Sequence, residues 1–117
     1  MKLSTQQFRP PSKGKAWLEP VLFRSTLESD PRSRGNDVIK ELYRNNLRPG
    51  NLFELLALGA QHPYEQCKYS IIALGTIAND YVPRLSSSFD RYDDRTLDLV
   101  RLPEGWLTGG RFLAFRR

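Results

Sequence analysis

The chain is poor in the residues from which small catalytic and metal sites are usually built. Its 117 residues include one cysteine, one histidine and one methionine, and no purely apolar run exceeds the four residues of "IIAL" at 71–74. A single cysteine excludes an internal disulfide and fits a reducing compartment. One histidine and one cysteine cannot supply the three or four nitrogen and sulfur ligands that zinc takes. Apolar runs this short fall far below the ~20 residues needed to cross a bilayer. The opening "MKLSTQQFRPPSKGK" also lacks the apolar core of a signal peptide. These absences predict a soluble, cytoplasmic protein with no membrane association. Phosphate-cradling motifs are missing too: neither a P-loop nor G-x-G-x-x-G occurs anywhere. Asp90, Asp93, Asp94 and Asp98 cluster in "DRYDDRTLD", but without EF-hand spacing and with Arg91 and Arg95 between them. That pattern reads as a self-neutralised turn. No cofactor, no metal and no local catalytic residues are expected.

Hydrophobic residues make up 39% and charged residues 26% of the chain, the mixture of an ordinary globular domain. The net charge is +5, unevenly spread: residues 1–35 carry +4, residues 36–92 are neutral and residues 93–117 carry +1. A basic surface of this kind attracts nucleic acid or an acidic protein.

Residues 1–14, with "RPPSKG", read as a flexible basic arm, and residues 15–117 as a single α+β domain. "AWLEPVLFRSTL" (16–27) is an edge strand or one that begins after Pro20, which cannot donate to a ladder. "DVIKELYRNN" places Val38, Ile39, Leu42 and Tyr43 on one face of a helix, and "LRPG" ends it. Asn51 with Glu54 forms a capping-box pattern for a second helix over 52–60. "KYSIIALGTIA" (68–78) is apolar on both alternations and reads as a strand covered on both faces. A polar connection follows over 79–94, in which "YVPRL" could add a short edge strand. "RTLDLVRL" and "RFLAFRR" are two further strands, joined by the glycine-bearing "PEGWLTGG" as a hairpin with a longer loop. The predicted fold is α+β: an antiparallel sheet of about four strands, a pair of short helices packed on one face, in the order β-α-α-β-β-β. Two short helices roof one face only, so closing the other predicts a homodimer.

Three functional readings follow. The first is a small binding protein without catalytic machinery, acting as a homodimer. The second is a single-stranded nucleic-acid or RNA-contacting protein, using Arg9, Lys13, Lys15 and Trp17 of the N-terminal region with Arg111, Arg116 and Arg117 of the last strand. Single-strand binders stack bases on exposed aromatics beside such charges, which would give Phe112 and Phe115 that role; the same rings would otherwise be core. The third is an enzyme whose site is assembled from distant residues, a pocket of His62, Tyr64, Asp80, Tyr81 and Arg84. The sole Cys–His pair, His62 and Cys67, lacks any local feature that would activate a nucleophile. Cys67 reads instead as a buried structural thiol. A helix-turn-helix is excluded because "LFELLALGA" has almost nothing to send into a groove.

Overall fold

A computed structural model describes residues 19–27, 35–87, 94–101 and 110–117. In chain order the elements are β1 (Pro20–Phe23), α1 (Gly35–Arg44), β2 (Leu47–Pro49), α2 (Leu52–Gln61), α3 (Glu65–Lys68), β3 (Ile71–Ile72), β4 (Tyr81–Ser87), β5 (Arg95–Arg101) and β6 (Arg111–Arg116). The six strands form one open sheet in the order β1-β6-β3-β4-β5, with β2 also pairing to β6. The α+β class stands. The sheet, however, has six strands rather than about four and is mixed, because β3 runs parallel to β6 while the other pairs are antiparallel.

β6 organises the sheet because both of its edges are used. Its odd-numbered backbone groups face one edge: Arg111 N–H donates to the Ser70 carbonyl, Leu113 C=O accepts from Gly50 N–H, and Arg117 N–H donates to the Asn46 carbonyl. β3 and β2 therefore lie end to end along that edge, and β1 takes the other. Backbones converge tightly where β2 meets β3. Gly75 N–H reaches the Gly50 carbonyl at 2.7 Å. A Cβ on Gly75 would stand 2.6 Å from that same oxygen, so only glycine permits the approach.

The predicted 68–78 strand is mostly something else. Residues 65–68 form α3, and only Ile71 and Ile72 are strand. The reason lies on the facing strand. Ala73 N–H donates to the Pro83 carbonyl at 3.1 Å, but the proline nitrogen has no hydrogen to return the bond. The ladder stops there and the chain turns. "YVPRL" is accordingly no edge: β4 lies between β3 and β5, and Pro83 is tolerated because its nitrogen points to where β3 has ended. Ala78 and Tyr81 exchange both backbone bonds around Asn79 and Asp80, each at positive φ, which is the twist of a two-residue type I′ turn. The expected hairpin between the last two strands is absent. β3 and β4 lie between β5 and β6, which run parallel to each other.

The helices do not share a face. On one side α1 sends Val38 and Leu42 against Ile72, Leu74, Val82, Phe112 and Ala114. On the other, α2 sends Leu55 and Leu58 against Leu22, Ile71, Leu85, Leu113 and Phe115. α3 joins α2 there, with the Gln66 amide donating to the Ser86 and Thr96 carbonyls. The sheet is thus the middle of three layers. Ile71 and Ile72 are buried on opposite faces, as their unbroken apolar pattern implied. The second face needs no partner copy to cover its core, which removes the ground on which the sequence predicted a homodimer.

α1 is held by a buried carboxylate. Glu41 accepts from the Ser25 hydroxyl at 2.7 Å, the Thr26 N–H at 3.0 Å and the Thr26 hydroxyl, tying the end of β1 to the helix. Asn46, left-handed at φ 59°, ends the helical turn. α2 starts on the predicted capping box: Asn51 Oδ1 accepts from Glu54 N–H, and Glu54 Oε1 from Asn51 N–H. The same Glu54 makes a bidentate pair with Arg48, whose guanidinium lies 4.7 Å from the Phe115 ring. Fully burying leucines such as Leu55 and Leu58 contributes about 1.5–3 kcal/mol each. That burial, more than the short helices' own propensity, holds the layers.

Candidate anion-binding site

The arginines of "RFLAFRR" are divided between the two ends of β6, which at ~3.4 Å per residue stand roughly 17 Å apart. At the first end Arg111 lies over the Tyr69 ring, 4.1 Å from its centroid. At the other, Arg117 lies over Tyr43 at 4.6 Å. The two phenylalanines between them are core: Phe112 and Phe115 are buried on opposite faces of the sheet and present no stacking surface. The aromatic partners of the arginines are tyrosines from other elements. Arg9, Lys13, Lys15 and Trp17, like the whole of the 1–14 arm, lie outside the described residues.

The second end is the denser site. Arg117 N–H bonds the Asn46 carbonyl at 3.1 Å, which brings the end of β6 beside the last turn of α1. Arg116 pairs in register with Leu47, and Arg44 occupies the last turn of the helix. Arg44, Arg116 and Arg117 are exposed, and Tyr43, under Arg117, is 46% exposed. No ion pair to a carboxylate engages Arg44 or Arg116 among the described residues. The nearby acids are already committed: Glu41 is turned inward to Ser25 and Thr26, and Glu54 to Arg48. Burial raises the Glu41 pKa, but the hydrogen bonds from Thr26 and Ser25 and the charge of Arg44 outweigh it and hold the carboxyl below its ordinary value. The bond to Glu54 raises the Arg48 pKa further above its already high value, against the opposing effect of burial. The Glu54 carboxylate is taken up by Arg48 and Asn51, and that of Glu41 by Ser25 and Thr26, with the charge of Arg44 also acting on it.

The residues of the expected pocket are dispersed in role. Asp80 is an exposed turn residue whose positive φ serves the β-turn into β4. Tyr81 and Arg84, three apart on β4, leave opposite faces of the sheet. Arg84 is held by Asp98 in a bidentate pair of 2.7 and 3.1 Å. Tyr64 is exposed at the α2–α3 junction. His62 closes α2 with its N–H on the Leu58 carbonyl, and its Nε2 is buried with no hydrogen-bond partner, as is Oε2 of Glu65. Cys67 is buried, with Sγ 3.9 Å from the Pro63 carbonyl. Among the described residues no group of three His, Cys, Asp or Glu is placed to hold a metal ion, and no helix is long and apolar enough to cross a membrane.

Sequence reasoning missed Tyr43, Arg44 and Tyr69. The helical spacing puts Tyr43 on the apolar face of α1 with Val38 and Leu42. It falls on the flank of that face, and nothing local reveals that β6 will end against it. Protein families, curated proteins and solved structures were compared with this chain, and none matches.

Proposed function

We propose that this chain is a non-catalytic binding module that contacts a phosphate-bearing polymer, single-stranded nucleic acid or RNA, through the Tyr43–Arg44–Arg116–Arg117 end of the sheet. The observation that carries this reading is Arg117 stacked on a half-exposed tyrosine beside two further exposed arginines without carboxylate partners. Guanidinium groups pair with phosphate oxygens in a two-pronged geometry, and a tyrosine face accepts an unpaired base of any identity. The +4 charge of residues 1–35 would add non-specific attraction.

The test is binding of a labelled single-stranded oligonucleotide as a function of salt. Affinity should fall with rising salt. The Arg116→Ala/Arg117→Ala double variant should flatten the log–log slope by about 0.7 for each phosphate contact removed. Tyr43→Ala should weaken binding by about 1–3 kcal/mol with little change in slope, because stacking is not ionic. Binding that ignores salt, or that both variants leave intact, refutes the reading.

A further inference from the structure

The sheet has two outer edges, and they are not alike. β1 is four residues long and opens on Pro20, and a short strand with a proline is a blunted edge. β5 is seven residues long, contains no proline and pairs with β4 along its whole length. Which of its backbone groups face outward follows from the bonds on the far side of β4. Pro83 C=O accepts from Ala73 N–H, and Tyr81 exchanges both bonds with Ala78, so the odd-numbered residues of β4 turn their backbone groups toward β3 and the chain that follows it. The even ones, Val82, Arg84 and Ser86, therefore bond their partners on β5, which are Val100, Asp98 and Thr96. That leaves Leu97, Leu99 and Arg101 with N–H and C=O pointing away from the sheet, and no strand among the described residues pairs with that edge. The same residues carry their side chains on the α2 side, because Leu97 lies opposite Leu85 of the α2 core. Leu97 is 46% and Leu99 66% exposed, with Arg95 and Arg101 on either side of them.

We propose that β5 takes up a short extended peptide as an added antiparallel strand, and that this peptide is apolar in its middle and acidic at both ends. Main-chain bonds to an open edge give such a contact its affinity, and alternate side chains give it specificity. Residues directly opposite each other in antiparallel strands stand ~5 Å apart. Two apolar residues of the peptide then lie against Leu97 and Leu99, and a carboxylate lies against each of Arg95 and Arg101. The pattern required is acid-x-apolar-x-apolar-x-acid, its intervening positions falling on the α1 side beside Thr96, Asp98 and Val100. There Asp98 is already held by Arg84 at 2.7 Å. The charges also say what the occupant is not. A second β5, antiparallel and in full overlap, sets Arg95 against Arg101 and Asp98 against Asp98, and like charges directly opposite destabilise a pair. The +5 charge of the chain draws an acidic peptide and repels a copy of itself. This inference stands apart from the nucleic-acid reading, whose residues lie on α1 and at the end of β6.

The probe is a dye-labelled peptide, Glu-Thr-Leu-Thr-Leu-Thr-Glu with both ends blocked, titrated with the full chain and read by fluorescence anisotropy. It should bind saturably with a Kd below roughly 100 μM. The same peptide with lysine in place of both glutamates should bind at least about tenfold more weakly. Methylation of backbone nitrogens separates strand addition from charge attraction. Methyl groups on the two leucine nitrogens, which face β5, should abolish binding, whereas one on the central threonine nitrogen, which faces water, should leave it intact. Arg101→Glu changes an exposed position, so circular dichroism and melting should match the wild type, and the preference for the glutamate peptide should be largely lost. No saturable binding up to roughly 300 μM chain overturns the proposal. So does equal binding of the two peptides by the wild type, or an affinity that leucine methylation leaves unchanged. A chain that ignores the peptide and sediments as a dimer gives the edge to a second copy, and overturns it too.

Discussion

The two sides of the sheet are built from the same materials to different ends. α1 is amphipathic: Val38 and Leu42 are buried while Asn36, Lys40 and Arg44 face out. The strand residues beyond its reach on that side, Thr96 and Asp98, are polar. α2 is apolar nearly all round, and the strand residues it leaves uncovered are Leu97 and Leu99. The α1 side therefore meets water with polar and charged groups, while the α2 side shows Leu97 and Leu99 between Arg95 and Arg101. The total composition conceals this contrast, because it averages the charged outer face of α1 with the apolar outer flank of α2.

The largest expected effects test whether both sides are true cores. Leu42→Ala on the α1 side and Leu58→Ala on the α2 side each remove a fully buried leucine, and each should cost about 3 kcal/mol of stability in urea denaturation. A loss below about 1 kcal/mol for Leu42→Ala would show that α1 is not a packed layer, and the comparison would fail.

Next come Glu41 and Glu54, a buried acid on each side. Glu54→Ala removes the cap of α2 and the partner of Arg48, and should cost about 2–3 kcal/mol. Glu41→Gln should cost about 1–2 kcal/mol at neutral pH, through weakened acceptance from Ser25 and Thr26. Its pH dependence has a definite sign. The folded Glu41 pKa is lowered, so its contribution is fully present above the unfolded carboxylate value and is lost as pH falls through the folded value. The stability gap between wild type and Glu41→Gln should therefore close on acidification below the ordinary carboxylate range, measured by melting across pH.

The smallest effect sharpens the contrast at the surface. Arg84 and Asp98 are paired at 2.7 Å, but Asp98 is 44% exposed, so Asp98→Ala should change stability by less than about 1 kcal/mol and less still at high salt. A loss of several kcal/mol would mean that the α1 side continues over β5 as a buried layer.

What was legible in the sequence was local. The capping box of Asn51 and Glu54, the bounds of α1 to within two residues, the late start of β1 at Pro20 and the two-sided burial of Ile71 and Ile72 all depend on neighbours close in the chain. Pro49 and Gly50 look like a break in the sequence, and β2 exists as a strand because β6 lies alongside. The sequence predicts a long β3 because nothing at 73–78 announces that Pro83, ten residues on, withholds the returning bond. The arginines of the last strand were read as one group, whereas a strand of six residues sends Arg111 and Arg116 to opposite ends, and only the tertiary fold decides that Tyr69 waits at one and Tyr43 at the other. By itself the sequence determined which segments turn, cap and alternate, because those preferences are set by steric and hydrogen-bonding constraints over a few residues. Strand order, the side each helix takes and the company each exposed side chain keeps were decided by the packed sheet, since they depend on contacts between residues tens of positions apart.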